Sequence, residues 1–90
     1  MTELSSQLIS EATIIDVRQA DEVAEGMFEG AIHICLDDLP DKVDEIRTFE
    51  TPLILYCRSG KRSEKACLFL EENGFSNVHN GINKEHLESF

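Results

Sequence analysis

Cys57 heads the stretch Tyr56–Ser63, YCRSGKRS. Four of the chain's eight basic residues, Arg58, Lys61, Arg62 and Lys65, follow it within eight positions, although 18 acids give the chain a formal net charge of -10. A cysteine is nucleophilic as its thiolate, and nearby cations, inward-turned backbone N–H groups and a helix N-terminus all favour that form. Gly60 supplies the conformational freedom that a tight turn needs. The combination predicts an anion-holding loop with Cys57 as nucleophile. Backbone N–H groups from Arg58 to Arg62, Ser59 and Gly60 included, would hold the anion. The side chains of Arg58, Lys61 and Arg62 would recruit it, because a site's potential is set within about one Debye length. Ser59 and Ser63 offer hydroxyls to the same anion, and Ser63 also reads as the cap of the following helix.

The flanking pattern places this loop. Leu53 to Tyr56 run without polar interruption, as in a central strand of a parallel sheet covered on both faces. Cys57 then falls at that strand's C-terminal end, where open α/β sheets bind ligands. A helix is expected from about Arg62 or Ser63 to Gly74, with Ala66, Phe69 and Leu70 as its buried stripe. Upstream, Thr2 precedes a short amphipathic helix presenting Leu4, Leu8 and Ile9, and ATIIDV reads as a first strand ending at Asp16 and Arg18. DEVAEG is a short helix stopped by Gly26, AIHIC a second strand, and DDLPDKVDEI a helix with Leu39, Val43 and Ile46 at helical spacing. NVHN is a last strand and NKEHLESF a terminal helix. Alternating strands and helices give an α/β fold, a mainly parallel sheet with helices on both faces, in one domain over residues 1–90. A second core would need roughly 50 residues more.

Composition excludes several classes. The acidic balance argues against nucleic acid and anionic membrane surfaces as partners, and no segment has the length of a membrane span. Cys35, Cys57 and Cys67 are an odd number with no CxxC pair, which fits a reducing cytoplasm, and Met1 with no basic n-region argues against a secretory leader. With His33, His79 and His86 scattered, these cysteines match no zinc spacing, so no metal is expected. Cys35 and Cys67 read as small core residues, with Cys67 as a resolving thiol the sharper alternative. His33 reads as a structural histidine.

Taken in order, the motifs resemble a single-domain rhodanese. IIDVR (Ile14–Arg18) is similar to the family's first-strand signature, EGMFEGAIHI (Glu25–Ile34) to its GHIPGAINI segment, LILYCRSGKRS (Leu53–Ser63) to its active-site strand and loop, and LEENGFSNVHNGI (Leu70–Ile82) to its closing helix and strand. The resemblance implies a thiosulfate sulfurtransferase without metal or organic cofactor. Cys57 would take sulfur from a small anionic sulfane donor (thiosulfate, polysulfide or a persulfide) and pass it to cyanide, a thiol or a protein acceptor. It also implies that Asp16 supports the loop as partner of a cation such as Arg62. The alternatives are a sulfur relay serving a partner enzyme and a regulatory module without catalysis. Cys57 to Arg62 counts six residues, one shorter than the C-x5-R loop of tyrosine-phosphatase-type enzymes, and the smaller ring favours sulfur over a phosphoryl group. Departures are Met27 and Glu29, where the family has histidine and proline, and Ile82, where it often has a second glycine followed by tryptophan.

Overall fold

The structure is a computed structural model that describes residues 4–90. Four parallel strands, β1 (Thr13–Asp16), β2 (Ile32–His33), β3 (Leu53–Cys57) and β4 (Val78–Asn83), form one sheet in the order β2-β1-β3-β4. Helices α1 (Ser6–Glu11), α2 (Ala20–Val23), α3 (Leu39–Ile46), α4 (Lys61–Glu72) and α5 (Lys84–Glu88) connect and cover it, with a 3-10 turn at Leu36–Asp38 leading into α3. The parallel α/β arrangement read from the sequence is the one found. No helix of the described residues is long and apolar enough to cross a membrane.

Strand alternation decides which helix meets which residue. Leu53, Leu55 and Cys57 of β3 share a core with Ile15 and Val17, with Leu39 and Ile46 of α3, and with Ala66, Cys67 and Leu70 of α4. Ile54 and Tyr56 face the other way, with Ile14, with Ile9 of α1 and with Leu87 of α5. Every residue of β3 is buried, as a strand covered on both faces requires. Cys57 therefore points toward α4, and Tyr56 points away from it.

Two details of β4 matter for the site. Leu55 pairs with Asn80 but Tyr56 pairs with Ile82, so Gly81 is an extra residue in the strand. A Cβ on Gly81 would lie 2.8 Å from Ile54 and 3.1 Å from Leu87, so this bulge has room only for glycine. Beyond it, Ile82 takes a left-handed φ of 69°, unusual for a β-branched side chain.

Several sequence expectations need adjusting. Thr2, expected just before the first helix, lies outside the described residues; Ser5 caps α1, accepting the Leu8 N–H at 3.1 Å. Helix α4 begins at Lys61, with Gly60 at the N-cap. Ser63 is thus the third helical residue and fully buried, not a cap. The buried face of α4 runs Ser63, Ala66, Cys67, Leu70, while Phe69 packs half-buried at its margin.

Candidate active site

The strand order reverses between β1 and β3: the chain leaves β1 for one side of the sheet and β3 for the other. The crevice at the C-terminal ends of these two strands is where α/β sheets hold ligands. Arg18 and Cys57 both open into it. Together with Glu25, Gly26, Arg58, Lys84 and Glu85 they line a cavity of about 210 Å³. A larger cavity, about 610 Å³, lies between α4 and β4 beside Cys67 and Leu68 and does not include Cys57.

The sulfur of Cys57 is only 1% exposed on a residue basis and sits at the open N-terminal turn of α4. Gly60 N–H reaches Sγ at 3.0 Å and Ser63 N–H at 3.4 Å, with Ser63 Oγ at 3.5 Å. The first N–H groups of a helix have no carbonyl partner within it, so they are free to serve the sulfur. Burial alone would raise the thiol's pKa. Hydrogen bonding by the Ser63 hydroxyl and the N–H groups of Ser63, Gly60 and Ser59 more than offsets it, and the pKa lies below the ordinary value. The turn that aims these groups has Gly60 at φ +92°, where an added Cβ would also come within 3.2 Å of Ile82 Cγ2. Only glycine fits it without strain.

The cations are less free than the sequence suggests. Arg62 makes a two-pronged pair with Glu22 of α2, at 2.6 and 2.8 Å. Arg58 meets Glu25 at 3.0 Å and lies 3.8 Å from Glu22. The Arg62 pair, assisted by the Gln19 N–H, holds the Glu22 carboxyl at about 2. Lys61 is exposed, has no acidic partner among the described residues, and does not line the cavity. Ser59 is likewise exposed, its backbone N–H being the part that serves Cys57.

Asp16 does not pair with Arg62, contrary to expectation. It is fully buried and binds Arg18, two residues on, through the guanidinium (2.7 to 3.1 Å) and the backbone N–H (2.9 Å). The Tyr56 hydroxyl donates to its Oδ2 at 2.8 Å. Burial opposes the Asp16 charge, but hydrogen bonds from Arg18 and Tyr56 prevail and lower its pKa, while burial and Asp16 push Tyr56 up to about 12. The near neighbour wins because β1 ends at Asp16, and the chain turns Arg18 back over it. This cluster also grips the rim: Arg18 Nη2 donates to the Gly26 carbonyl at 2.7 Å, and the Tyr56 oxygen accepts the Phe28 N–H at 2.9 Å.

Sequence reasoning missed Glu22, Glu25, Tyr56, Asn80, Lys84 and Glu85. Asn80 gave no signal, since the strand read as NVHN ended on it, whereas β4 runs on to Asn83. The Asn80 side chain joins Ser63 Oγ at 2.6 Å to the Gly60 carbonyl at 3.0 Å. His33 is a structural histidine, its Nε2 lying 2.7 Å from the Arg18 carbonyl. Cys67 is a core residue as expected, whereas Cys35 is only half-buried.

A sulfur held by N–H groups at a helix start, at the reversal point of a parallel sheet, agrees with comparison to known proteins. The rhodanese-like domain model matches residues 1–83, and the chain belongs to the rhodanese family. It is 42% identical to YtwF of Bacillus subtilis over 69 residues, 77% of this chain and 66% of that protein. It is 34% identical to a sulfurtransferase of Allochromatium vinosum over 67 residues, 74% of this chain and 62% of that protein. The chain thus spans somewhat less than two thirds of these curated relatives. The human single-domain sulfurtransferase TSTD1 superimposes with a TM-score of 0.72 at 26% identity, covering 90% of this chain and 85% of that one. Similarity extends to proteins named tRNA uridine(34) hydroxylase, such as one from Prochlorococcus marinus, 43% identical over 75 residues (73% of this chain) but only 24% of that protein.

Proposed function

We propose that this chain is a sulfurtransferase that carries sulfane sulfur as a persulfide on Cys57. The Cys57 thiolate attacks the outer sulfur of thiosulfate, the sulfur–sulfur bond breaks, and sulfite leaves with the bonding pair. Cyanide or a thiol then attacks the outer sulfur of the persulfide, and the Cys57 thiolate is the leaving group. Thiolate, persulfide anion and departing charge all gain from fixed N–H donors in a water-poor site. The observation that carries this reading is the approach of the Gly60 and Ser63 N–H groups to Sγ, at 3.0 and 3.4 Å. Intact-mass measurement after incubation with thiosulfate is expected to find one added sulfur atom, absent from Cys57→Ala. A wild-type mass that stays unchanged with thiosulfate, polysulfide and cysteine persulfide alike would refute the transfer.

A second reading concerns the donor, and the rim favours it. Glu22 and Glu25 engage Arg58 and Arg62, and Glu85 joins Glu25 in the cavity wall. This mixed charge attracts a dianion such as thiosulfate less than four free cations would. It suits a persulfide presented by a small thiol or a partner protein, with the chain as relay. Turnover compared across thiosulfate, polysulfide and cysteine persulfide separates the two, the relay requiring the persulfide to be used best.

A further inference from the structure

The Ser63 hydroxyl lies between two acceptors and has one hydrogen to give. Its oxygen is 2.6 Å from Asn80 Oδ1, to which it donates, and 3.5 Å from Cys57 Sγ. Asn80 is tied at both ends of its amide. Oδ1 also accepts the Ile82 N–H at 2.9 Å, and Nδ2 donates to the Gly60 carbonyl at 3.0 Å. With its hydrogen turned to Asn80, Ser63 presents an oxygen lone pair to the sulfur. A lone pair suits an S–H donor and opposes an anion. The thiolate needs the same hydroxyl turned the other way.

We propose that Asn80 is a positioning residue that holds the Ser63 hydroxyl hydrogen while Cys57 is a thiol and yields it to the sulfur when the thiol proton leaves. Ser63 is then a two-position switch. The inference rests on Cys57 being the reacting sulfur of the proposed transfer. On deprotonation the thiol proton goes to solvent, and the Ser63 O–H turns from Oδ1 to Sγ. Oδ1 keeps the Ile82 N–H, so no buried acceptor is left bare. One neutral hydrogen bond is exchanged for a stronger one to an anion. Asn80 thereby sets how readily the thiolate forms, without touching the sulfur.

Other charges face the sulfur from each packed element: Arg18 after β1, Glu25 after α2, Arg58 in the loop, and Lys84 and Glu85 of α5. Arg62 of α4 also acts at this site, tied to Glu22. All are unchanged in the variants below, so their influence cancels between matched pairs.

The test is a double-mutant cycle on the pH profile of Cys57 alkylation by iodoacetamide, read by peptide mass spectrometry so that Cys35 and Cys67 do not contribute. Asn80→Ala frees the hydroxyl for the sulfur, and the alkylation midpoint is expected to fall by roughly half a pH unit or more. That is about a threefold gain in thiolate well below the midpoint. In a Ser63→Ala background only the loss of the Gly60 anchor remains, so Asn80→Ala should lack this downward component. Matched shifts in the two backgrounds, or coupling of the opposite sign, would overturn the proposal. If Asn80→Ala loses the wild-type circular dichroism spectrum, Asn80→Ser runs the same cycle. Alkylation needs no sulfur donor, so failure of sulfur loading would refute the transfer alone. A cycle without coupling would refute the switch alone.

Discussion

Cys57 and Cys67 belong to the same buried cluster, ten positions apart, at 1% and 8% exposure. One is held as a ready thiolate former. The other is pushed up to about 12 by burial, helped by Glu71 and Glu64. Their apolar surroundings are shared and burial raises both thiols, more strongly at Cys67, but only Cys57 has hydrogen-bond donors that outweigh it. The difference is where each meets α4. Cys57 faces its first turn, whose N–H groups are uncommitted, whereas Cys67 sits a turn further in, where N–H groups already bond to carbonyls four residues back. Unclaimed backbone donors lower the pKa of one cysteine in this fold, and further along the same helix the second has none to offset its burial.

That contrast is open to attack at several points. The largest effect is expected from the nucleophile: Cys57→Ala should reduce sulfur transfer to background, while Cys67→Ala leaves turnover within about twofold and costs about 1 kcal/mol of stability by denaturant unfolding. A comparable activity loss in Cys67→Ala would break the comparison. Next comes Gly60→Ala, which combines a strained left-handed φ with a 3.2 Å approach to Ile82. It should misaim the N–H groups and lower kcat/KM on the order of tenfold to a hundredfold, with a raised alkylation midpoint for Cys57 and none for Cys67.

A smaller effect is expected at Glu22. Its carboxyl sits at about 2 against an ordinary 4.5, so it binds its proton more weakly folded than unfolded. The stabilisation is therefore full above about 4.5 and disappears as pH falls toward 2. Thermal unfolding of Glu22→Gln should start below wild type at pH 7 by a few degrees, and the gap should close on acidification. A gap that persists at the acid end would exclude the ion pair as its source. The smallest change is expected from Glu25→Gln, which relieves Arg58 of a partner: KM for thiosulfate should fall about two- to threefold with kcat unchanged. No change would mean that the rim cations have little part in donor recognition, sharpening the emphasis on backbone.

Much of this was legible in the sequence where it depends on local pattern. The apolar run Leu53–Tyr56 announced a covered strand, and Cys57 followed by Gly60 and a helix announced the loop. What stayed hidden depends on residues far apart in the chain. Glu22 and Arg62 are forty positions from one another, and neither periodicity nor composition says that α2 comes beside α4. Asn80 reaches Ser63 because it pairs with Leu55 and so lies on the sheet face that α4 covers, a register that only the assembled sheet sets. The opposite error arose at Asp16, where a distant partner was expected and one two residues away was found. Once β1 ends, a flexible arginine next to a buried carboxylate outcompetes any cation that must arrive from another element.

The grip of Arg18 and Tyr56 on the rim has a consequence for how this protein can vary. Both contacts go to main-chain atoms, the Gly26 carbonyl and the Phe28 N–H. The segment is fastened without regard to the side chains at Met27 and Glu29, the two positions that depart from the family's histidine and proline. Mutational drift at these two positions is thereby separated from the contacts that fasten the segment. A lineage can exchange these two side chains while the segment keeps its place beside the cavity.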